Sequence, residues 1–278
     1  MKQLRVTNIQ RGCVYDGPGV RTTVFLKGCY LRCPWCCNPE TISFEKELFI
    51  DNSKCLLSKG VHSELCKLCQ RNKGSNSITA CPFGVAEETS RDYLPDELFH
   101  ILLRDQSLYI ESNGGITFSG GEPLFQSENL VSVLELLKEK GLHIALETSL
   151  IAPDQSLLLV NPFIDTYIVD LKIQPEMYLS DSNYQNEIKK HLMMIGGKSI
   201  FFRFVFVDSV MDYINEVKDW LSVMEINIIE ILVCHNLGAK KYGKLSLANR
   251  DFTSSKEKAE SFIDFLKDFG IASKILSI

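Results

Sequence analysis

The sequence predicts an α/β fold: a parallel sheet covered by helices, curved into an incomplete or complete barrel, with a small cysteine-rich module inserted. From residue 95 onward, short β-branched or aromatic runs alternate with helix-like stretches, and strand-helix repetition of this kind builds parallel sheets. No Gly-x-Gly-x-x-Gly follows the first strand, which favours a barrel with its active rim at the strand ends over a dinucleotide-binding sheet. Eight of the ten cysteines fall in two groups ahead of the repeats.

In chain order, the first strand is 22–26, Thr-Thr-Val-Phe-Leu, and it runs into the first cysteine group. Residues 51–78 are polar and irregular and hold Cys55, Cys66 and Cys69, with Cys81 opening Cys-Pro-Phe-Gly-Val. Strands are expected at 115–119, 143–148, 166–172, 199–207, 226–234 and 272–278. Between them, apolar residues recur at helical spacing over 95–103, 127–140, 183–194, 211–224 and 256–269. The resulting partition is 1–50 for the start of the main domain, 51–92 for the insert and 93–278 for the remainder.

With 278 residues, 45% of them hydrophobic, the chain can bury one large core. Its first residues, Met-Lys-Gln-Leu-Arg-Val-Thr-Asn, have no apolar run or cleavage site, so export and membrane anchoring are not expected and the cytoplasm is. A net charge of −5 gives no general reason for binding nucleic acid. In a reducing compartment, ten cysteines point to metal ligation over disulfides.

Cys29, Cys33 and Cys36 sit on an eight-residue loop. Soft thiolates select iron-sulfur or zinc, and three leave an iron of a four-iron cluster open, whereas a structural zinc site would need a fourth ligand such as Cys37. Cys55, Cys66, Cys69 and Cys81 can complete one fully ligated 4Fe-4S cluster or one tetrahedral zinc site. Gly120 and Gly121 permit close backbone approach. Asp170 and Lys172, two apart on a strand, share a face. Arg203 interrupts the aromatic run 201–207 and reads as an inward charge needing a carboxylate or substrate partner. Trp35, Glu147 and His235 have plain structural readings as a core ring, a solvated carboxylate or cap, and a strand-end packing residue.

The segments Asp16-Gly17-Pro18-Gly19-Val20-Arg21 through Gly28, the cysteine loop on to Glu40, Gly115 to Leu124 with its Ser-Gly-Gly-Glu-Pro, Glu147-Thr148-Ser149, Asp170-Leu171-Lys172, Arg203, and His235-Asn236-Leu237-Gly238 through Tyr242 occur in one order along the chain. Together they resemble the radical S-adenosylmethionine (SAM) enzymes, and more narrowly the glycyl-radical-enzyme activases of the pyruvate formate-lyase activase type. The resemblance implies a radical SAM partial (β/α)6 barrel, with Cys29, Cys33 and Cys36 holding a 4Fe-4S cluster whose open site takes SAM. It implies cofactor contacts from Trp35, Gly120, Gly121, Glu147, Asp170, Lys172 and His235, and makes Lys172 and Arg203 the candidate catalytic residues. The implied partners are a glycyl-radical enzyme, which loses a glycine Cα hydrogen, and a flavodoxin or ferredoxin donor. Activases often carry histidine where Cys37 stands, and many have eight cysteines in the insert where this chain has four. The competing readings are a radical SAM enzyme acting directly on a small molecule or peptide, and a non-catalytic iron-sulfur or zinc interaction module.

Overall fold

The computed structural model describes residues 3–68 and 81–276. In chain order the strands and α-helices are β1 (Leu4–Cys13), β2 (Arg21–Leu26), β3 (Leu48–Ile50), β4 (Ala86–Glu88), β5 (Arg91–Tyr93), α1 (Pro95–Leu102), α2 (Gln106–Ser112), β6 (Gly115–Gly120), α3 (Ser127–Glu139), β7 (His143–Thr148), α4 (Asp154–Val160), β8 (Thr166–Leu171), α5 (Ser182–Met194), β9 (Ser199–Phe206), α6 (Ile214–Val223), β10 (Ile228–Val233), α7 (Ala239–Lys244), α8 (Lys256–Asp268) and β11 (Ala272–Ile275).

The main sheet runs β11-β10-β9-β8-β7-β6-β2-β1-β5. The strands from β2 through β6 to β10 pair in parallel, and β11 extends the parallel series. β1 and β5 add an antiparallel margin beyond β2. With β11 and β5 at opposite ends and unpaired to each other, the sheet forms a partial (β/α)6 barrel. Its central strands are buried along nearly their whole length, as in β6 and β8, because helices cover one face and the barrel interior the other.

Helix ends follow local chemistry. Pro95 opens α1 with Asp96 and Glu97 in its first turn. The Asp181 carboxylate accepts from the N–H groups of Asn183 and Tyr184 at the start of α5, and the Ser255 hydroxyl caps α8 through Lys258 N–H. The expected helix 211–224 differs: residues Asp208–Tyr213 form a 3-10 turn and only Ile214–Val223 is α-helical. The strand expected from 226 starts at Ile228, since Glu225 turns through a left-handed φ of 56°.

Residues 51–68 carry short 3-10 turns. Beside them, Cys55 and Val85 form a satellite core packed by Ile50, Leu57, Cys81 and Ala86, with β3 and β4 as its sheet. β5 pairs with β1 and so joins the main sheet. Among the described residues no helix is long and apolar enough to cross a membrane.

Candidate active site

The chain leaves β2 at Leu26 and enters the cysteine loop through Gly28, whose φ of +105° and closeness to the Phe125 ring, 2.7 Å from a would-be Cβ, exclude a side chain. The two legs of the loop are zipped: Gly28 N–H donates to Thr41 O at 2.7 Å and Cys29 N–H to Ile42 O at 3.0 Å. Lys27, fully buried, donates to Glu40 O and pairs with Glu47 at 2.6 Å. From the far end of the chain, Lys241 reaches Asn38 and Glu40, each at 2.7 Å, and the Tyr242 hydroxyl donates to Cys36 O at 2.9 Å. The loop is thus fastened on both sides before any ligand is considered.

Cys29, Cys33 and Cys36 open into one pocket with Gly120, Gly121, Glu147, Asp170, Lys172, Trp35 and His235. Burial, with help from Glu122, pushes the Cys29 thiol up to about 11, and burial likewise raises Cys33 and Cys36. A neutral thiol is therefore favoured until a cation compensates the thiolate, the behaviour of a metal-ligand set. Among the described residues no three His, Cys, Asp or Glu side chains gather as around a single metal ion. The donor chemistry of three half-buried thiols on one loop suits a 4Fe-4S cluster.

The Gly120-Gly121 turn lies backbone to backbone against the root of this loop. Gly121 N–H donates to Leu26 O at 2.9 Å and Glu122 N–H to Gly28 O at 2.8 Å. A Cβ on Gly120, at φ +108°, would meet Leu26 N at 2.4 Å, and one on Gly121 would meet Gly28 O at 2.2 Å. The close approach expected of these glycines toward a ligand is thus already demanded by their own chain.

Glu122 follows, buried at the pocket wall. It accepts from Thr148 Oγ1 at 2.7 Å, Ser149 N–H at 3.0 Å, Ser149 Oγ at 2.8 Å and Leu124 N–H at 3.2 Å. Burial raises its pKa, and these donors oppose the rise. The carboxylate ties the end of β7 to the glycine turn.

Asp170 and Lys172 form a 2.5 Å ion pair facing the pocket. Burial works against the lysine's charge, but Asp170 and Cys33 outweigh it and hold its pKa above the ordinary value. Asp170 Oδ1 is buried without a hydrogen-bond partner among the described residues, as is Trp35 Nε1. Trp35 meets Phe252 edge-on at 5.8 Å. His235 Nδ1 accepts from Leu237 N–H at 3.3 Å, so the neutral ring carries its proton on Nε2.

Arg203 is the predicted inward charge, 3% exposed, but it does not line the cysteine pocket. It sits behind Glu147, bonded to that carboxylate at 2.6 Å, to Glu230 at 3.2 Å and to Tyr15 O at 2.6 Å. Glu147 also accepts from Ser119 Oγ at 2.7 Å and does line the pocket. Because Arg203→Met strands Glu147 inside the barrel, it is expected to cost about 3–5 kcal/mol of stability in denaturant unfolding. A loss below about 1 kcal/mol would mean the pair is far better solvated than its burial indicates.

Cys37 borders the pocket with its backbone against Gly238, and Cys234 is buried nearby. In the second group, Cys55 and Cys81 share the satellite core and Cys66 is buried, while Cys69 lies outside the described residues. Sequence reasoning missed Lys27 and Tyr184 and the Glu122 bridge to Thr148 and Ser149. No local pattern marks them.

The 4Fe-4S single cluster domain family matches residues 15–152, spanning both the cysteine loop and the glycine turn. The 4-hydroxyphenylacetate decarboxylase activating enzyme of Clostridioides difficile (strain CD196) is 30% identical, over 98% of this chain and 96% of that protein. The chain belongs to the radical SAM family of glycyl-radical-enzyme activating enzymes. The pyruvate formate-lyase 2-activating enzyme of Escherichia coli (strain K12), another activating enzyme, is 33% identical over 86% of this chain and 80% of its own length. Among solved structures, AdoMet-bound anSMEcpe aligns with a TM-score of 0.52 at 14% identity, covering 90% of this chain and 58% of that one, a likeness of fold.

Proposed function

We propose that this chain activates a glycyl-radical enzyme, cleaving SAM by one-electron reduction and removing a Cα hydrogen from a glycine of the partner. The observation that carries the reading is the meeting, in one pocket, of Cys29, Cys33 and Cys36 with the Gly120-Gly121 turn and the Asp170-Lys172 pair. A bound 4Fe-4S cluster supplies the electron that splits SAM into methionine and the 5′-deoxyadenosyl radical that takes the hydrogen.

The chain's own residues bind and orient. The thiolates of Cys29, Cys33 and Cys36 would hold the cluster, three ligands that would leave it open to SAM. Lys172 and the unpaired Asp170 Oδ1 offer a cation and an acceptor to the polar end of SAM. Glu122 locks the two walls that flank it. Trp35 and His235 are assigned to the adenosine side, and Leu31, Val205 and Leu232 present an apolar lining that excludes water from a reactive radical. Arg203 fixes Glu147 from behind.

We assign residues 51–92 to an auxiliary module in which Cys55, Cys66, Cys69 and Cys81 hold a second 4Fe-4S cluster, with zinc as the alternative. Cys81-Pro82 resembles the end of a ferredoxin motif, which favours iron-sulfur. The electron donor is assigned as a flavodoxin or ferredoxin, in the cytoplasm.

Anaerobic reconstitution, followed by iron and sulfide analysis and low-temperature EPR of the reduced protein with and without SAM, tests this reading. Expected are about eight irons per chain, a SAM-perturbed signal and 5′-deoxyadenosine formation. About four irons with one zinc would move the insert to the zinc reading. Zinc alone, with no 5′-deoxyadenosine, would overturn the function.

A further inference from the structure

β8 ends at Leu171, so Lys172 is the first residue of that strand to leave the ladder, and its backbone needs partners elsewhere. Both are supplied locally. Lys172 N–H donates to the Tyr184 hydroxyl oxygen at 2.9 Å in a buried contact, and Lys172 O accepts from Tyr178 N–H at 3.1 Å. Tyr184, 3% exposed on α5, is wedged in a stack, 4.9 Å from the Tyr178 ring and 6.0 Å from the Trp220 ring. The Asp181 cap fixes the first turn of α5 by accepting from Tyr184 N–H itself. A rigid aromatic column therefore ends in one hydroxyl aimed at one pocket residue's main chain.

The geometry points to Tyr184 as a positioning residue for SAM binding: its hydroxyl holds the Lys172 main chain so that the ammonium stays in the pocket. This deepens the function proposed above and rests on it. Among the described residues the Lys172 N–H has this one partner, the Tyr178 N–H braces only the carbonyl, and Nζ makes one hydrogen bond, to Asp170, itself a pocket residue with an oxygen to spare. A Lys172 freed at its N–H can pivot with Asp170 and still keep their ion pair, so a loss at Tyr184 reaches SAM without breaking the pair. The SAM molecule, in turn, must tighten the Tyr184-Lys172 contact by the factor that the contact tightens SAM.

The test uses the cluster-loaded protein. Tyr184→Phe keeps the ring stack and removes only the hydroxyl. The expected result, measured by EPR titration, is a dissociation constant for SAM raised about tenfold, the size of one buried hydrogen bond lost. The rate of 5′-deoxyadenosine formation at saturating SAM is expected to stay within about twofold, a loss confined to ground-state binding. In the double variant with Lys172→Met, SAM affinity is expected to equal that of Lys172→Met alone, because the tyrosine acts through the lysine. In the unmutated protein, SAM is expected to slow hydrogen exchange at the Lys172 amide. Unchanged SAM affinity in Tyr184→Phe overturns the proposal, as does an additive loss in the double variant or exchange at Lys172 that ignores SAM. Failure of the unmutated, cluster-loaded protein to bind SAM would instead refute the function on which the proposal stands.

Discussion

Cys33→Ala is expected to abolish reductive SAM cleavage, lowering 5′-deoxyadenosine formation by more than the roughly hundredfold that loss of an outer-shell partner reaches at a metal centre. Cys33 sits midway along the cysteine loop, with its backbone carbonyl closing the turn to Cys36 N–H at 3.1 Å. Alanine keeps that turn and removes only the sulfur, so the loop retains its shape and loses one thiol, the proposed ligand. The surroundings offer no substitute that reads as equivalent: Cys37 packs its backbone on Gly238, and Lys241 and Tyr242 pin the residues on either side of it. Iron analysis after reconstitution and an assay for 5′-deoxyadenosine decide the matter. Normal 4Fe-4S content with sustained cleavage would remove Cys33 from the ligand set, and Cys37→Ala, expected to keep its iron, is the internal comparison.

The parts of the molecule legible in the sequence are those whose physics is local. β7 was expected at 143–148 and spans His143–Thr148, because its run Ile144-Ala145-Leu146 is apolar and β-compatible, as the middle of a strand covered on both faces requires. The cysteine loop, the paired glycines and Asp170-Lys172 are equally local, being spacings within a few residues. β1 escaped because it sits near the margin of the sheet: Arg5, Thr7, Asn8, Gln10 and Arg11 interrupt its apolar side, and only Leu4, Val6 and Cys13 are buried. The helices α2, α4 and α7 are seven, seven and six residues long, too short for a helical period to show.

The site's supporting bonds were hidden for a different reason. Lys241 and Asn38 are 203 positions apart, and Glu122 reaches Thr148 across 26. Such pairs carry no sequence pattern until the strands have been set in order. Arg203 shows the boundary: its need for a carboxylate was readable from the aromatic run around it, but that Glu147 and Glu230 supply it, and that the guanidinium lies behind the pocket wall, required the register of β7, β9 and β10.

Gly121→Ala is expected to destabilise the protein by roughly 3 kcal/mol or more and to lower its iron content after reconstitution. The added Cβ would lie 2.2 Å from Gly28 O and 2.7 Å from Thr41 O. Neither oxygen can yield cheaply. Gly28 O accepts from Glu122 N–H at 2.8 Å, and Thr41 O accepts from Gly28 N–H at 2.7 Å, so moving either breaks the zipper at the root of the cysteine loop. Gly141→Ala provides the contrast, since that residue, unlike Gly121, has a left-handed φ, +67°, and nothing within 4 Å of a Cβ. It bears backbone strain alone, about 1–2 kcal/mol. Denaturant unfolding of both variants with iron analysis separates steric loss from strain, and equal costs would show that the glycine turn can lift away from the loop. If it cannot, the spacing between the glycine turn and the cysteine loop is set by backbone contact itself, and Glu122, bonded to Thr148 and Ser149, carries that fixed spacing across to β7.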